Sequence, residues 1–120
     1  ADKVMTALIS GDADIGFMGS EASIYTYAGE AEDYAVNFAQ LTQRAGNFLV
    51  AREPDPSFTW DKLKGSKVLG GRAGGMPQMV FEYILKKNGI DPNLDLNIDQ
   101  SISFGLTAAA FTSNDSDYTV

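Results

Sequence analysis

Two glycine-containing turns hold the residues of this sequence that are best suited to chemistry. In the first, Gly19 permits a close backbone approach and Ser20 offers a hydroxyl group as a helix cap. In the second, residues 71–78, Arg72 brings a charge that can form two parallel hydrogen bonds to an oxyanion, and Gln78 adds a side-chain amide. Both turns precede a predicted helix, whose first N–H groups attract anions. Both turns are therefore candidate ligand sites, and the second suits a sulfonate, phosphate or carboxylate.

The glycine-rich segment does not match the nucleotide-binding motifs. Gly70, Arg72 and Gly75 stand at the first, third and sixth positions of the dinucleotide fingerprint, but that fingerprint requires glycine at the third. The segment also lacks the Gly-Lys-Ser/Thr end of a Walker loop. Phosphoryl transfer is therefore not expected, and an ordinary glycine turn with a capping serine remains the alternative for each turn.

The composition excludes several catalytic and binding classes. The 120 residues include neither His nor Cys, so they offer no thiolate nucleophile, no Ser/His or Cys/His pair, no disulfide and no Cys/His zinc site. Sixteen acidic and nine basic residues give a net charge of −7 without a basic run, which argues against a nucleic-acid surface and a polybasic membrane anchor. What remains is carboxylate, hydroxyl, lysine or backbone chemistry, or plain binding. Of these we expect a binding protein that is not an enzyme, with no cofactor and no metal.

Helix and strand patterns alternate along the chain and predict an α/β fold with a parallel sheet and helices on both of its faces. Predicted strands cover residues 13–18, 34–41, 48–51, 67–69, 94–99 and 118–120. Predicted helices run from the first residues to Gly11, from Gly19 to Gly29, and over 60–64, 76–88 and 103–111. Asp2 and Thr59 are candidate caps. Pro77 and Gly89 stand just inside the start and just past the end of the longest helix, where proline and glycine are favoured.

The apolar residues of these helices predict the core. One side of the 76–88 helix carries Met76, Met79, Val80, Tyr83, Ile84 and Lys87. Aromatic residues belong more often to the core than to a ligand-stacking site, and we expect this of Tyr25, Tyr27, Phe38, Phe81 and Tyr83. Phe104 is the exception, because it starts a helix after a strand, at the rim of the sheet where ligands bind.

An internal similarity links the two ends of the chain. Residues 7–15 align with residues 110–118, and both segments contain a helix end, a polar turn, Asp-x-Asp and an apolar strand. Gly11 and Asn114 occupy equivalent positions, and both residue types tolerate the left-handed backbone that closes a helix. The similarity predicts two related lobes, although helix-to-strand turns of unrelated α/β units also look alike.

The run TWDKLKGSKVLGGRAGG from Thr59, followed by a helix that ends in LKKNGIDP, resembles the second lobe of the solute-binding proteins of ABC importers. Within the type II periplasmic binding proteins, the similarity is to the nitrate, sulfonate, taurine and thiamine-pyrimidine group. Residues 4–18 resemble the end of the first lobe in that group. The resemblance implies a partial first lobe over 1–39, a hinge crossing over 40–47 and an incomplete second lobe over 48–120.

Such a protein binds a small anionic or heterocyclic solute, of the sulfonate, nitrate, taurine or thiamine-precursor type, between two lobes and delivers it to a membrane permease. The resemblance also implies a periplasmic or extracellular lipoprotein. Glycine in the second turn departs from the Ser or Thr of many relatives and leaves the solute open. Together the residues and the resemblance assign ligand binding to Gly19, Ser20, Glu21, Thr42, Arg44, Arg72, Gly74, Gly75, Met76, Gln78 and Phe104, with Thr42 and Arg44 in the hinge.

Two other functions remain open from the sequence. A thiamine-pyrimidine synthase is similar in fold, but its chemistry relies on a histidine and a pyridoxal-bearing lysine, and this sequence has no histidine. The 120 residues are also expected to be a fragment without binding activity, which would dimerise or exchange elements through exposed sheet edges.

Overall fold

The computed structural model describes residues 3–30, 32–44 and 46–120, with the side chain of Phe104 left out. The chain forms two compact units, Ala1–Arg44 and Ala45–Val120. The predicted cap Asp2 lies outside the described residues.

The first unit contains two helices, α1 over Val4–Ile9 and α2 over Ser20–Ala28, and both confirm the sequence pattern. Gly11, at φ 78°, follows the end of α1, where the Ala7 carbonyl accepts two N–H groups of the following turn. Glycine suits this left-handed position because it has no Cβ. The first helix therefore ends where the sequence predicts.

The strands predicted over 13–18 and 34–41 are not formed, since no residue of either segment belongs to a strand. Their apolar side chains are exposed, Phe17 by 73% and Phe38 by 77%. A strand needs backbone partners as well as an alternating pattern. The described part of the first unit contains no other strand that could supply them. The local pattern alone therefore does not make a strand here.

The second unit holds a four-stranded sheet of β1 Val50–Ala51, β2 Lys67–Leu69, β3 Asn97–Asp99 and β4 Tyr118–Thr119. Its strand order is β1-β4-β2-β3. β2 runs parallel to β3 and β4, with Val68 opposite Ile98 and Tyr118, whereas β1 is antiparallel to β4. The α/β class is confirmed, but the expectation of a purely parallel sheet is wrong. β2 has the predicted bounds and the other strands are shorter than predicted.

The helices of the second unit follow the predicted order with changed geometry. Thr59 stands at the N-cap of a short 3₁₀ helix, but its side chain makes no cap hydrogen bond. The helix predicted over 103–111 is divided into a 3₁₀ turn and a short α-helix. Pro77 lies in the first turn of the longest helix, as predicted. The helices are 3₁₀ helices Trp60–Leu63 and Phe104–Leu106, and α-helices α3 Met76–Lys87 and α4 Thr107–Ser113.

The hydrophobic core of the second unit is built from α3, β2, the 3₁₀ helix that precedes β2 and the segment that follows α3. The buried side of α3 carries Gln78, Phe81 and Leu85, whereas Tyr83 is 60% exposed and Lys87 is exposed. The predicted apolar side of this helix is therefore wrong. The true buried stripe begins with a glutamine, which a search for apolar residues passes over. The core residues are Leu63, Val68, Phe81, Leu85, Ile90 and Leu96.

The aromatic residues divide between core and surface. Phe81 is 3% exposed, which confirms its predicted place in the core. Tyr25, Tyr27, Phe38 and Tyr83 are between 53% and 77% exposed, so the same prediction is wrong for them. The first three belong to the first unit, whose described residues bury no hydrophobic side chain. An aromatic residue there has no core to enter.

Candidate functional site

The first candidate turn is the N-terminus of α2. Gly19 is its N-cap, with φ −68° and ψ 146°, and Ser20 is the first helical residue. Ser20 is therefore not the cap that the sequence predicts, and no side-chain cap hydrogen bond is made. The Ser20 carbonyl instead accepts the hydroxyl of buried Ser23 at 2.8 Å, and Asn37 Nδ2 donates to that hydroxyl at 2.7 Å. These bonds hold the first turn of α2 in place.

Glu21, in this first turn, has a carboxylate without a full set of partners. The residue is only 9% exposed, and its Oε2 atom is buried with no hydrogen-bond partner. The carboxylate folds back to the N-cap, where a Cβ on Gly19 would overlap it. An acidic group is favoured at a helix N-terminus by the helix dipole, but a buried carboxylate oxygen also needs a donor. Glycine at position 19 makes room for this group.

The second candidate turn joins β2 to α3. The Gly70 N–H donates to the Asp99 carbonyl at 2.8 Å and continues the pairing of β2 with β3. The chain then turns, and the Gly75 N–H donates to the Arg72 carbonyl at 3.0 Å. Gly74, at φ 73°, occupies the left-handed position of this turn, which explains a glycine there. Gly75 is the N-cap of α3.

Gln78 lies beneath this turn with its side-chain amide in a fixed orientation. It is 2% exposed, and its Nε2 donates to Glu82 Oε1 at 2.9 Å. Because an ionised carboxylate only accepts, this bond places the amide nitrogen toward Glu82 and the amide oxygen on the other side. Oε1 then lies beside Gly70, where a Cβ would stand 2.6 Å from it, and it has no hydrogen-bond partner.

The two turns thus share an unusual property. Among the described residues, the buried side-chain nitrogen and oxygen atoms that lack a hydrogen-bond partner are Glu21 Oε2 and Gln78 Oε1. Buried polar atoms are nearly always paired, so each exception calls for a partner such as a water, an ion or a ligand. Each exception here stands at one of the two turns that the sequence assigns to ligand binding.

The remaining predicted site residues have plainer surroundings. Arg72 and Gly74 are exposed in the second turn, Gly75 is buried and Met76 is half-buried at the start of α3. The structure therefore brings these four together with Gln78 in one turn and helix start. Thr42 and Arg44 are exposed near the end of the first unit. Phe104 opens a 3₁₀ helix, and its side chain lies outside the described residues.

Glu82 is a participant in the second turn that the sequence analysis missed. It sets the orientation of Gln78 and lies 3.9 Å from Lys86 Nζ. Residues four apart on a helix face each other, so the spacing of Gln78 and Glu82 was the available signal.

Charged pairs away from the turns shift several pKa values. At the start of β2, Lys67 pairs with Asp115, which raises the pKa of the lysine and lowers the pKa of the carboxyl. The Lys62 ammonium, 2.6 Å from Asp55, is the main cause that lowers the pKa of that carboxyl. A lysine held protonated in an ion pair is a poor nucleophile. The ion pair of Lys67 with Asp115 is therefore suited to a structural role and not to nucleophilic catalysis.

The described residues offer neither a metal site nor a membrane-spanning helix. Residues 3–30, 32–44 and 46–120 contain no group of three Asp or Glu side chains placed to hold a metal ion. Among the helices that the structure describes, none has both the length and the apolar character required for a membrane crossing.

Comparison with known proteins finds a relative that matches almost the whole chain. No protein-family model and no solved structure matches the chain. Over 117 residues, which are 98% of this chain, it is 54% identical to a protein of Bacillus subtilis (strain 168) named "Putative binding protein YtlA". The aligned part is 35% of that protein, so the chain spans about a third of the length of the relative it matches.

Proposed function

We propose that the protein is a solute-binding component of an ABC importer, in the type II periplasmic binding protein group with nitrate, sulfonate, taurine and thiamine-pyrimidine binders. It acts outside the cytoplasmic membrane, binds a small anionic or heterocyclic solute and delivers it to a permease. It carries the solute without making or breaking covalent bonds. The observation that carries this proposal is the pair of buried, unpartnered oxygens, Glu21 Oε2 at the start of α2 and Gln78 Oε1 at the start of α3.

Three further observations support binding through two lobes. The relative from Bacillus subtilis is named as a binding protein. The boundary between the two compact units falls at residues 44 and 45, within the 40–47 segment assigned to the hinge. The second turn has the α/β geometry in which ligands bind beyond the carboxyl end of a strand, at the start of the next helix.

A solute screen on the natural full-length chain tests the proposal. Thermal unfolding is measured with taurine, ethanesulfonate, nitrate and an aminopyrimidine, for the wild type and for Gln78→Met. We expect at least one solute to raise the wild-type unfolding midpoint. The variant should lose most of that rise, since methionine fills a similar volume without an acceptor. Lys87→Met, on the exposed side of the same helix, is the matched control and should behave like the wild type.

Gly74 is less suitable for this test, although a charged residue there would also block the turn. Its φ of 73° strains any side chain, so a loss of binding would be mixed with a loss of stability. If no solute stabilises the wild type, or if Gln78→Met responds as fully as Lys87→Met, the proposal is wrong.

Self-association is a second candidate, favoured by the outer edge of β3. β3 is the last strand in the order β1-β4-β2-β3, so the described residues provide no partner for its outer side. Such edges accept strands from another chain. Light scattering of the 120-residue chain should then show a dimer that dissociates on dilution, and a monomer at every concentration would contradict it.

A further inference from the structure

The chemistry of the two unpartnered atoms narrows the class of solute. Glu21 Oε2 belongs to a carboxylate and Gln78 Oε1 to an amide whose nitrogen is held by Glu82, so both atoms are hydrogen-bond acceptors. Neither can pair with an oxygen of nitrate or of an ionised sulfonate. Each needs an N–H or O–H group, and a carboxylate is paired best by a charged donor.

The two helix starts also differ in charge. The first turn of α2 contains Glu21, whereas the first turn of α3 contains no acidic residue. A carboxylate at the N-terminus of α2 already interacts with the positive end of that helix dipole, so a second anion is not attracted there. The α3 turn keeps its positive end and adds the exposed guanidinium of Arg72. The α2 turn therefore suits a cation and the α3 turn an anion.

We propose that Glu21 determines specificity by binding a nitrogen of the solute, a protonated amine or an amino group on a heterocycle. This inference rests on the proposed function and deepens it. Glu21 selects a solute that carries such a nitrogen, and it rejects a bare anion. The nine-residue α2 presents the carboxylate, and the bare Gly19 Cα gives it the space to fold back toward the N-cap.

Matched pairs of probes test this assignment by titration calorimetry on the natural full-length chain. Taurine and isethionate share the sulfonate and the carbon chain and differ by an ammonium against a hydroxyl. 4-Amino-2-methylpyrimidine and 2-methylpyrimidine differ by the amino group. The wild type should bind the amino member of one pair at least about tenfold more tightly than its partner. Glu21→Gln should reduce that preference to within about threefold, because an amide pairs a cation far less well.

Two further variants separate binding from folding. Glu32→Gln removes a carboxylate that is exposed in the same unit and should leave the preference unchanged. Gly19→Ala places a methyl group where the Glu21 carboxylate lies and should weaken binding of the amino member, as Glu21→Gln does. The unfolding midpoint of Glu21→Gln without solute should equal or exceed the wild-type value, since the substitution removes a buried charge that has an unpaired oxygen.

The outcomes distinguish this inference from the proposed function. If the wild type binds the amine-free members as tightly as the amino members, the proposed role of Glu21 is wrong. It is also wrong if Glu21→Gln prefers the amino member as strongly as Glu32→Gln does. Solute binding itself stands in both cases. If the wild type binds no member of either pair and no solute of the wider screen, the proposed function itself is overturned.

Discussion

At the scale of single residues, Glu21 and Gln78 have oxygen atoms that folding removes from water without a replacement partner. An unpaired buried acceptor costs about 1–3 kcal/mol of stability. Such a group calls for a partner, and in the proposed function a solute supplies the missing hydrogen bond. Both atoms are acceptors, and this is why the solute is expected to bring the donors.

Arg52 is the residue whose removal should most clearly destabilise the second unit through polar contacts. Its guanidinium donates to the carbonyls of Phe111, Ser116 and Asn114 and lies 4.4 Å from the centre of the Phe111 ring. Arg52→Ala should lower the free energy of unfolding by about 1–2 kcal/mol, since charge-assisted bonds and a cation over an aromatic ring are lost. Urea unfolding measures the change.

Two variants control for this effect. Arg52→Lys should recover less than half of the loss, because an ammonium cannot form the planar fork. Lys87→Ala removes an exposed cation over Tyr83 and should change stability by less than about 0.5 kcal/mol. If Arg52→Lys were fully stable, the guanidinium geometry would have no part in the effect.

Asp55 should make stability depend on acid pH. Its pKa in the folded chain is below the ordinary value of 3.8, first because Lys62 donates to it and then because Ser57 does. The unfolded chain therefore binds the proton more readily, so this contribution is complete above pH 3.8 and is lost as the pH falls through the lower folded pKa. Asp55→Asn and Lys62→Met should each flatten the acid limb of a stability-against-pH curve. An unchanged acid limb in both variants would refute the assignment.

The residue types at the two turns could be predicted from sequence, but their environments could not. A Glu in the first turn of a helix is favoured by the dipole whether it is exposed or buried. Nothing local indicates that Glu21 is 9% exposed. The contacts of Arg52 join residues about 60 positions apart, and no local pattern encodes them.

At the scale of elements, the end of α3 shows how closely sequence can fix a boundary. Gly89 has φ 69°, its N–H donates to the Lys86 carbonyl at 3.1 Å, and the Ile90 N–H donates to the Leu85 carbonyl at 3.0 Å. These are the two bonds of a Schellman motif, and Leu85 and Ile90 both enter the core. The sequence Asn-Gly-Ile after the helix therefore encodes both its end and its anchor.

Gly89→Ala should lower the free energy of unfolding by about 1 kcal/mol, because alanine is strained in the left-handed conformation. Space is not the cause, since no atom lies within 4 Å of a Cβ built there. Gly46→Ala, where the surroundings are equally open and φ is not in the left-handed region, is the control and should be close to neutral. Equal effects at both positions, measured by urea unfolding, would contradict the explanation.

Elements whose bounds are marked by local residues form where the sequence predicts them. Strands that must find partners elsewhere in the chain are mostly shorter than predicted or do not form. α2, α3 and β2 have local caps, proline, glycine or compact apolar runs. The 13–18 and 34–41 segments have an apolar pattern of strand type but no ladder. The antiparallel β1 pairs Val50 with Thr119 across most of the second unit, which explains why a parallel sheet was the simpler expectation.

At the scale of the whole molecule, the two units differ in how they bury apolar surface. All of the fully buried hydrophobic side chains of the described residues belong to Ala45–Val120. In the 120-residue chain, amide hydrogen exchange should therefore be slowest around Val68, Leu69, Phe81 and Leu85 and fast through the described residues of Ala1–Arg44. Mass spectrometry of peptides from both units measures the difference. Equal protection of α2 and α3 would contradict this account of the core.

The central claim is that each of the two glycine turns, at the start of α2 and at the start of α3, contributes to solute binding. The most direct measurement is a calorimetric titration of the natural full-length chain with the best solute of the screen, for the wild type, Glu21→Gln, Gln78→Met and the double variant. We predict that each single change weakens binding by about tenfold or more and that both variants fold as stably as the wild type. Binding of wild-type strength in either single variant would contradict the claim.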